Sequence, residues 1–183
     1  MSLAATAASA PQYERPPMPY YDWDACPFEC CTYRRWKAEA PVTLYKTRSS
    51  KGEIAFRLKK EDWVNAITGV VITYRYGVSK IVKPIELGYP PKGDKPVLLL
   101  QPGEVVYTLH YTGEGSDLFW YKGRVYIDQI ATDKPDPDPP PPELIVQVIS
   151  RPHYVWWAKV RNKDGQVGWT TETHKFGNVD ACG

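Results

Sequence analysis

Hydrophobic and polar positions alternate with a period of two over most of this chain. That period predicts strands, and no stretch longer than about two turns reads as helix. Val42 and Leu44 alternate with Thr43 and Tyr45. After a Ser49-Ser50-Lys51-Gly52 turn, Ile54, Phe56 and Leu58 share one face, and Glu53, Ala55 and Arg57 the other. Lys59-Lys60-Glu61-Asp62 is a turn. Trp63 to Tyr76 reads as two strands broken near Thr68-Gly69, and Ile81 to Ile85 as one more. Tyr89 to Pro96 is a Pro-rich connector.

A second series begins at Val97. A turn at Gln101-Pro102-Gly103-Glu104 leads to Val105, Tyr107, Leu109 and Tyr111 on one face, with His110 on the opposite, solvent side. Thr112 to Ser116 is a tight turn, and Phe119 to Ile130 holds two strands around Lys122-Gly123. Asp133 to Pro142 is an acidic polyproline stretch, expected to form a stiff, solvated link. Leu144, Val146 and Val148 alternate again. Trp156 to Trp169 then reads as a hairpin around Asn162-Lys163-Asp164-Gly165, closed by Gly168-Trp169. There is an internal echo. Leu58 to Val64 and Leu100 to Val106 both read as a strand end, a polar turn and a strand restart, which two copies of one small β-barrel would explain.

Before these strands lie a small, polar, Pro-rich segment (1–20) and an aromatic, cysteine-rich arm, Tyr20 to Trp36. Composition supports an all-β chain: 18 Pro, 13 Tyr and 7 Trp among 183 residues favour strands and turns. The net charge of +2 is unevenly spread, with 11 Lys/Arg against 5 Asp/Glu in 42–96 and 8 against 11 in 97–183. The imbalance falls well short of a nucleic-acid footprint. No apolar run approaches the ~20 residues of a membrane span. Ala8-Ser9-Ala10 looks like the end of a signal peptide, which implies an exported chain whose natural start lies upstream; a cloning remnant with a disordered tail is the alternative.

The cysteines are Cys26, Cys30, Cys31 and Cys182. Four allow two disulfides in three pairings. A bond between neighbours Cys30 and Cys31 is strained, so Cys182 is expected to join one of them and Cys26 the other. A bridge from first segment to last closes a loop of roughly 150 residues, worth on the order of 4–5 kcal/mol. Zinc and free thiols are the rival uses. No histidine lies near Cys26–Cys31, and Cys-x3-Cys-Cys fits no common zinc site.

No catalytic or cofactor motif is present, and His110, His153 and His174 show no metal-ligand spacing. Aromatics are the better lead. Trp156 and Trp157 are strand neighbours, as are Trp120 and Tyr121, so the members of each pair point to opposite faces. Unless both faces are covered, one of each pair is left to stack on a sugar ring or a proline. Tyr154, Trp156, Trp157, Trp120 and Tyr121 are therefore the candidate ligand-binding residues; the alternative is that the cysteine-rich arm covers the second Trp.

Three patches resemble bacterial SH3-type (SH3b) domains. They are Val42 to Arg48 followed by Ile54 to Leu58, then Leu100 to Val106, and Trp157 to Val160 leading to Gly165-Gln166-Val167-Gly168-Trp169. The polyproline insert and the cysteine arm have no counterpart in that pattern. The resemblance implies two small SH3-like β-barrels packed together, at 38–90 and 96–183, with the insert at 133–142 and residues 1–37 as tail and arm. It also implies a non-catalytic, periplasmic or secreted binding module for peptidoglycan or peptides. The other reading is a secreted inhibitor or assembly partner of another protein. Trp156 to Trp169 is expected to close the second barrel.

Overall fold

The computed structural model describes residues 15–87, 98–130 and 144–182. The Ala8-Ser9-Ala10 triplet, the connector at 89–96 and the polyproline stretch at 133–142 lie outside them.

The alternating pattern becomes strand throughout. Among the described residues the only helical element is a single 3-10 turn at Thr173–Lys175. The spine is β5 (Trp63–Arg75), which follows β1 (Tyr20–Trp23), β2 (Arg35–Ala38), β3 (Val42–Tyr45) and β4 (Ile54–Leu58). The expected break at Thr68-Gly69 is instead a bulge. The partner strand pairs Val160 with Ala66 and Lys159 with Thr68, so Ile67 is the extra residue and the strand runs on. Before the bulge, Val64 and Ala66 point inward and Trp63, Asn65 and Ile67 outward; beyond it, Val70 to Thr73 are all buried, because both faces are covered.

That partner is β13 (His153–Arg161), which matches β5 from Arg161↔Asn65 to His153↔Arg75. It continues through the Asn162–Gln166 turn into β14 (Val167–Thr170), and β15 (Phe176–Gly177) returns to β2. The order β15-β2-β5-β13-β14-β3-β4 makes one sheet, with β1 beside the far half of β5. Trp36, Leu44, Phe56, Val64, Val160 and Phe176 fill its main core. The Trp156 to Trp169 hairpin thus closes the first unit. The expected division into 38–90 and 96–183 does not describe these pairings.

A second unit sits between β5 and β13. Its strands are β6 (Val78–Ile81), β7 (Ile85–Leu87), β8 (Leu98–Leu100), β9 (Val105–Gly113), β10 (Ser116–Tyr121), β11 (Arg124–Asp128) and β12 (Val146–Ser150). Five form a sheet ordered β11-β10-β9-β6-β12, and β7 pairs with β8. Ile81, Leu100, Val106, Phe119 and Tyr126 form its core. Arg75 and His153 face each other at the neck. A Cβ on Gly77 would stand 2.8 Å from both Pro152 Cδ and the Ser150 carbonyl, so the neck closes only around glycine there.

The two units repeat one pairing scheme. β2 pairs with β5 as β6 does with β9; β3–β4, β5–β13 and β13–β14 correspond to β7–β8, β9–β10 and β10–β11; β15 and β12 both return to the opening strand. The echo at Leu58–Val64 and Leu100–Val106 recurs bond for bond. Asp62 accepts the Lys59 N–H (2.7 Å) and Glu104 that of Gln101 (2.8 Å). Ala38 exchanges backbone hydrogen bonds with Glu61 and Asp62, as Ile81 does with Gly103 and Glu104. Glu61 (φ 76°) and Gly103 (φ 92°) take the same left-handed conformation.

The cysteines form Cys26–Cys31 and Cys30–Cys182, one of the open pairings. Cys30 and Thr32 continue the second link through backbone hydrogen bonds with Ala181 (2.8 Å) and Val179 (2.9 Å). Loop entropy favours the long bridge: 152 residues of separation correspond to about 5 kcal/mol, and 5 residues to about 2 kcal/mol. Replacing Cys30 and Cys182 by Ala is therefore expected to lower the Tm clearly more than replacing Cys26 and Cys31, measured by calorimetry without reductant.

The Tyr121 hydroxyl donates to Glu104. With the Gln101 N–H and Lys122 it holds the carboxyl down to about 2. Because the folded value lies below the unfolded one, the stabilisation is present above the unfolded pKa and fades as pH falls towards about 2. Thermal melts of wild type and Glu104→Gln should differ most above about pH 5 and converge in acid.

Candidate functional site

The five aromatic candidates are not an open platform. Trp157 lies in a cluster with Val70, Ile72 and Trp169. Trp156 is half-buried, edge-on to Phe28 and Trp36, and its indole N–H donates to the Tyr33 hydroxyl at 3.2 Å. The arm therefore covers Trp156, as the second reading of the pair expects. A Cβ on Gly69 would overlap both Tyr33 and Trp156, so glycine is what lets this lock close onto β5. Burial pushes the Tyr33 phenol up to about 12. Trp120 is buried with Leu109 and Leu118, against Met18, Tyr20, Tyr76 and Tyr107. Tyr121 is buried and anchored on Glu104. Tyr154 is half-buried beside the His110 ring.

His110 corrects a second expectation. It is only 1% exposed, because β9 is covered on both faces by its own core and by the arm. Its Nε2 lies 2.9 Å from an Asp22 carboxylate oxygen and its Nδ1 2.7 Å from the Tyr111 carbonyl. Nearby, the Thr73 hydroxyl donates to the Leu109 carbonyl at 2.9 Å. This is a polar seam binding arm, β5 and second unit together.

The open site lies at the other end of the first unit. A cleft of about 750 Å³ is walled by β2, by the start of β5 with the turn before it, and by the β13–β14 turn. Five basic residues (Arg35, Arg57, Lys59, Arg161, Lys163) and three acidic ones (Glu61, Asp62, Asp164) line it. Two of the acids are already engaged. Glu61 pairs with Lys37, whose hydrogen bond holds it below the usual carboxylate range, and Asp62 caps the Lys59 N–H. Five cations against three carboxylates leave the surplus positive. Trp63 forms an aromatic wall, 43% exposed, with the Arg35 guanidinium 5.0 Å from its ring centroid. The turn on the far wall is pre-set by Asn162, whose carbonyl oxygen Oδ1 accepts the backbone N–H groups of Asp164 (3.1 Å) and Gln166 (2.9 Å).

None of these residues was among the sequence candidates. The signal was present for Trp63, which alternates with buried Val64 and Ala66. Arg35 and Arg161 join the same cleft only through long-range pairing. Among the described residues, no group of three or more His, Cys, Asp or Glu side chains is arranged to hold a metal ion, and no helix is long and apolar enough to cross a membrane. Comparison with protein-family models, with curated proteins and with solved structures returns no match.

His110→Ala removes a buried ring and strips Asp22 of its partner. Urea unfolding at neutral pH should show a loss on the order of 3 kcal/mol.

Proposed function

We propose that this chain is an exported, non-catalytic binding protein built from two SH3-like barrels, the second nested within the first, with peptidoglycan or peptides as ligand. The observation that carries this reading is the cleft beside Trp63. It is open and within the usual volume of ligand sites, and it sets an exposed aromatic among a surplus of cations. The duplicated pairing order, with a 3-10 turn before the last strand of the first unit, supports the small-barrel reading. Two disulfides support a periplasmic or extracellular location, since such bonds persist in oxidising compartments. The non-catalytic reading draws on the fate of the reactive side chains: every cysteine is in a disulfide, and His110 is enclosed with Asp22, away from the cleft.

Co-sedimentation with purified peptidoglycan, and with its isolated stem peptides, tests the proposal. Wild type should be retained, and Trp63→Ala should weaken retention about tenfold at unchanged Tm, since Trp63 is exposed. No retention of wild type on either material rejects it.

A further inference from the structure

Three residues of the cleft stand in one row. Arg35 and Arg161 are both direct partners of Asn65, from β2 on one side of β5 and from β13 on the other. Directly opposed residues in antiparallel strands share a face, and all three are exposed. Two strand spacings put the arginine Cα atoms about 10 Å apart, with a neutral amide between them. We infer that the row Arg35–Asn65–Arg161 reads acid: it binds an extended peptide carrying two carboxylates, two residues apart, through the two guanidinium groups. This rests on the reading of the cleft as a ligand site.

The second unit supplies an internal control. Trp36↔Val64 and Lys37↔Trp63 in the first unit correspond to Ser79↔Val106 and Lys80↔Val105 in the second, so Asn65 corresponds to Tyr107. The partner of Tyr107 is Trp120, at the place of Arg161. The same scheme is thus built with two aromatics, closed over by Met18 and by Tyr20 at the start of the arm. The fold imposes no charge on this row. Where it is polar it is open, and where it is apolar it is covered.

The chemistry of the row suits carboxylates. A guanidinium offers a planar fork that takes a carboxylate through two parallel hydrogen bonds. Stacking on Trp63 orients the Arg35 fork in advance. Among the described residues no ion pair joins either arginine to the cleft's acids Glu61, Asp62 and Asp164, and Glu61 is paired with Lys37. In an extended peptide, alternate side chains share a face about 7 Å apart, a gap to the arginine spacing that the long side chains close. The Asn65 amide between the forks can both donate to and accept from the peptide backbone.

The test uses the full disulfide-bonded chain and two labelled, end-blocked peptides that differ only in Glu or Gln at two alternate positions, read by fluorescence anisotropy. The Glu peptide should bind at least tenfold more tightly than the Gln peptide. Arg35→Gln and Arg161→Gln should each cost about tenfold at unchanged Tm. Asn65→Asp, which places a carboxylate between the arginines, should abolish Glu-peptide binding while keeping or raising the Tm. Equal binding of the two peptides, or no loss in either arginine variant, overturns the inference. So does competition by inorganic phosphate at concentrations where acetate has no effect, which would mark a phosphate site. Parallel peptidoglycan sedimentation separates the two failures. Retention that needs Trp63 but not the arginines leaves the binding-module reading standing and removes this one. No retention and no peptide binding removes both.

Discussion

The pairing of β5 with β13 is the constraint on which the rest depends. These strands meet along almost their whole length although residues 76–152 lie between them. The second unit is tolerable there because its ends emerge side by side, where Arg75 faces His153. An insertion that returns its ends to one place adds little to the closure cost, which grows only slowly with loop length. Both edges of β5 are then used, β13 along one, and β2 followed by β1 along the other. Past its bulge the faces of β5 are covered as well, with Val70 and Ile72 packed with Trp157 and Trp169 and Thr73 bonded to the Leu109 carbonyl of the second unit, so Val70 to Thr73 lose the in–out alternation.

The arm answers a need created by this arrangement. Two units joined at a neck leave apolar and polar surface between them, and Tyr20 to Tyr33 fills it. Tyr33 and Phe28 cover Trp156, Met18 and Tyr20 cover Trp120, and Asp22 reaches His110. The long disulfide ties this filler to the end of the chain, so that the arm cannot leave without unfolding the return to β2. Aromatic pairs that would otherwise show one exposed ring are therefore closed on both sides. That leaves Trp63, at the end of the first unit away from the arm, as the open aromatic of the cleft.

Duplication shows which residues serve folding and which do not. The turns at Lys59–Asp62 and Gln101–Glu104 keep the same side-chain-to-backbone bond and the same left-handed residue, because both units need a tight return into their long strand. The row across that strand has diverged completely, from Arg–Asn–Arg to a pair of covered aromatics. The second unit packs this row into a core cluster, whereas the first leaves it open to solvent.

Local order was legible in the residues themselves. Strand type, most turns, the echo between the two series and the restriction of the cysteines to a few pairings all depend on neighbours within a few positions, where alternation and turn chemistry act directly. Which strand meets which was not legible, because the partners of β5 lie about 30 residues before it and 90 after it, and an alternating strand carries no label for its mate. Hence the Trp156 to Trp169 hairpin was recognisable as a hairpin but not as the lid of the first unit, and His110 was recognisable as out of phase but not as enclosed. Arg35, Asn65 and Arg161 are ordinary surface residues in three separate segments. Only tertiary pairing lines them up across one strand, and with them the site that this protein presents.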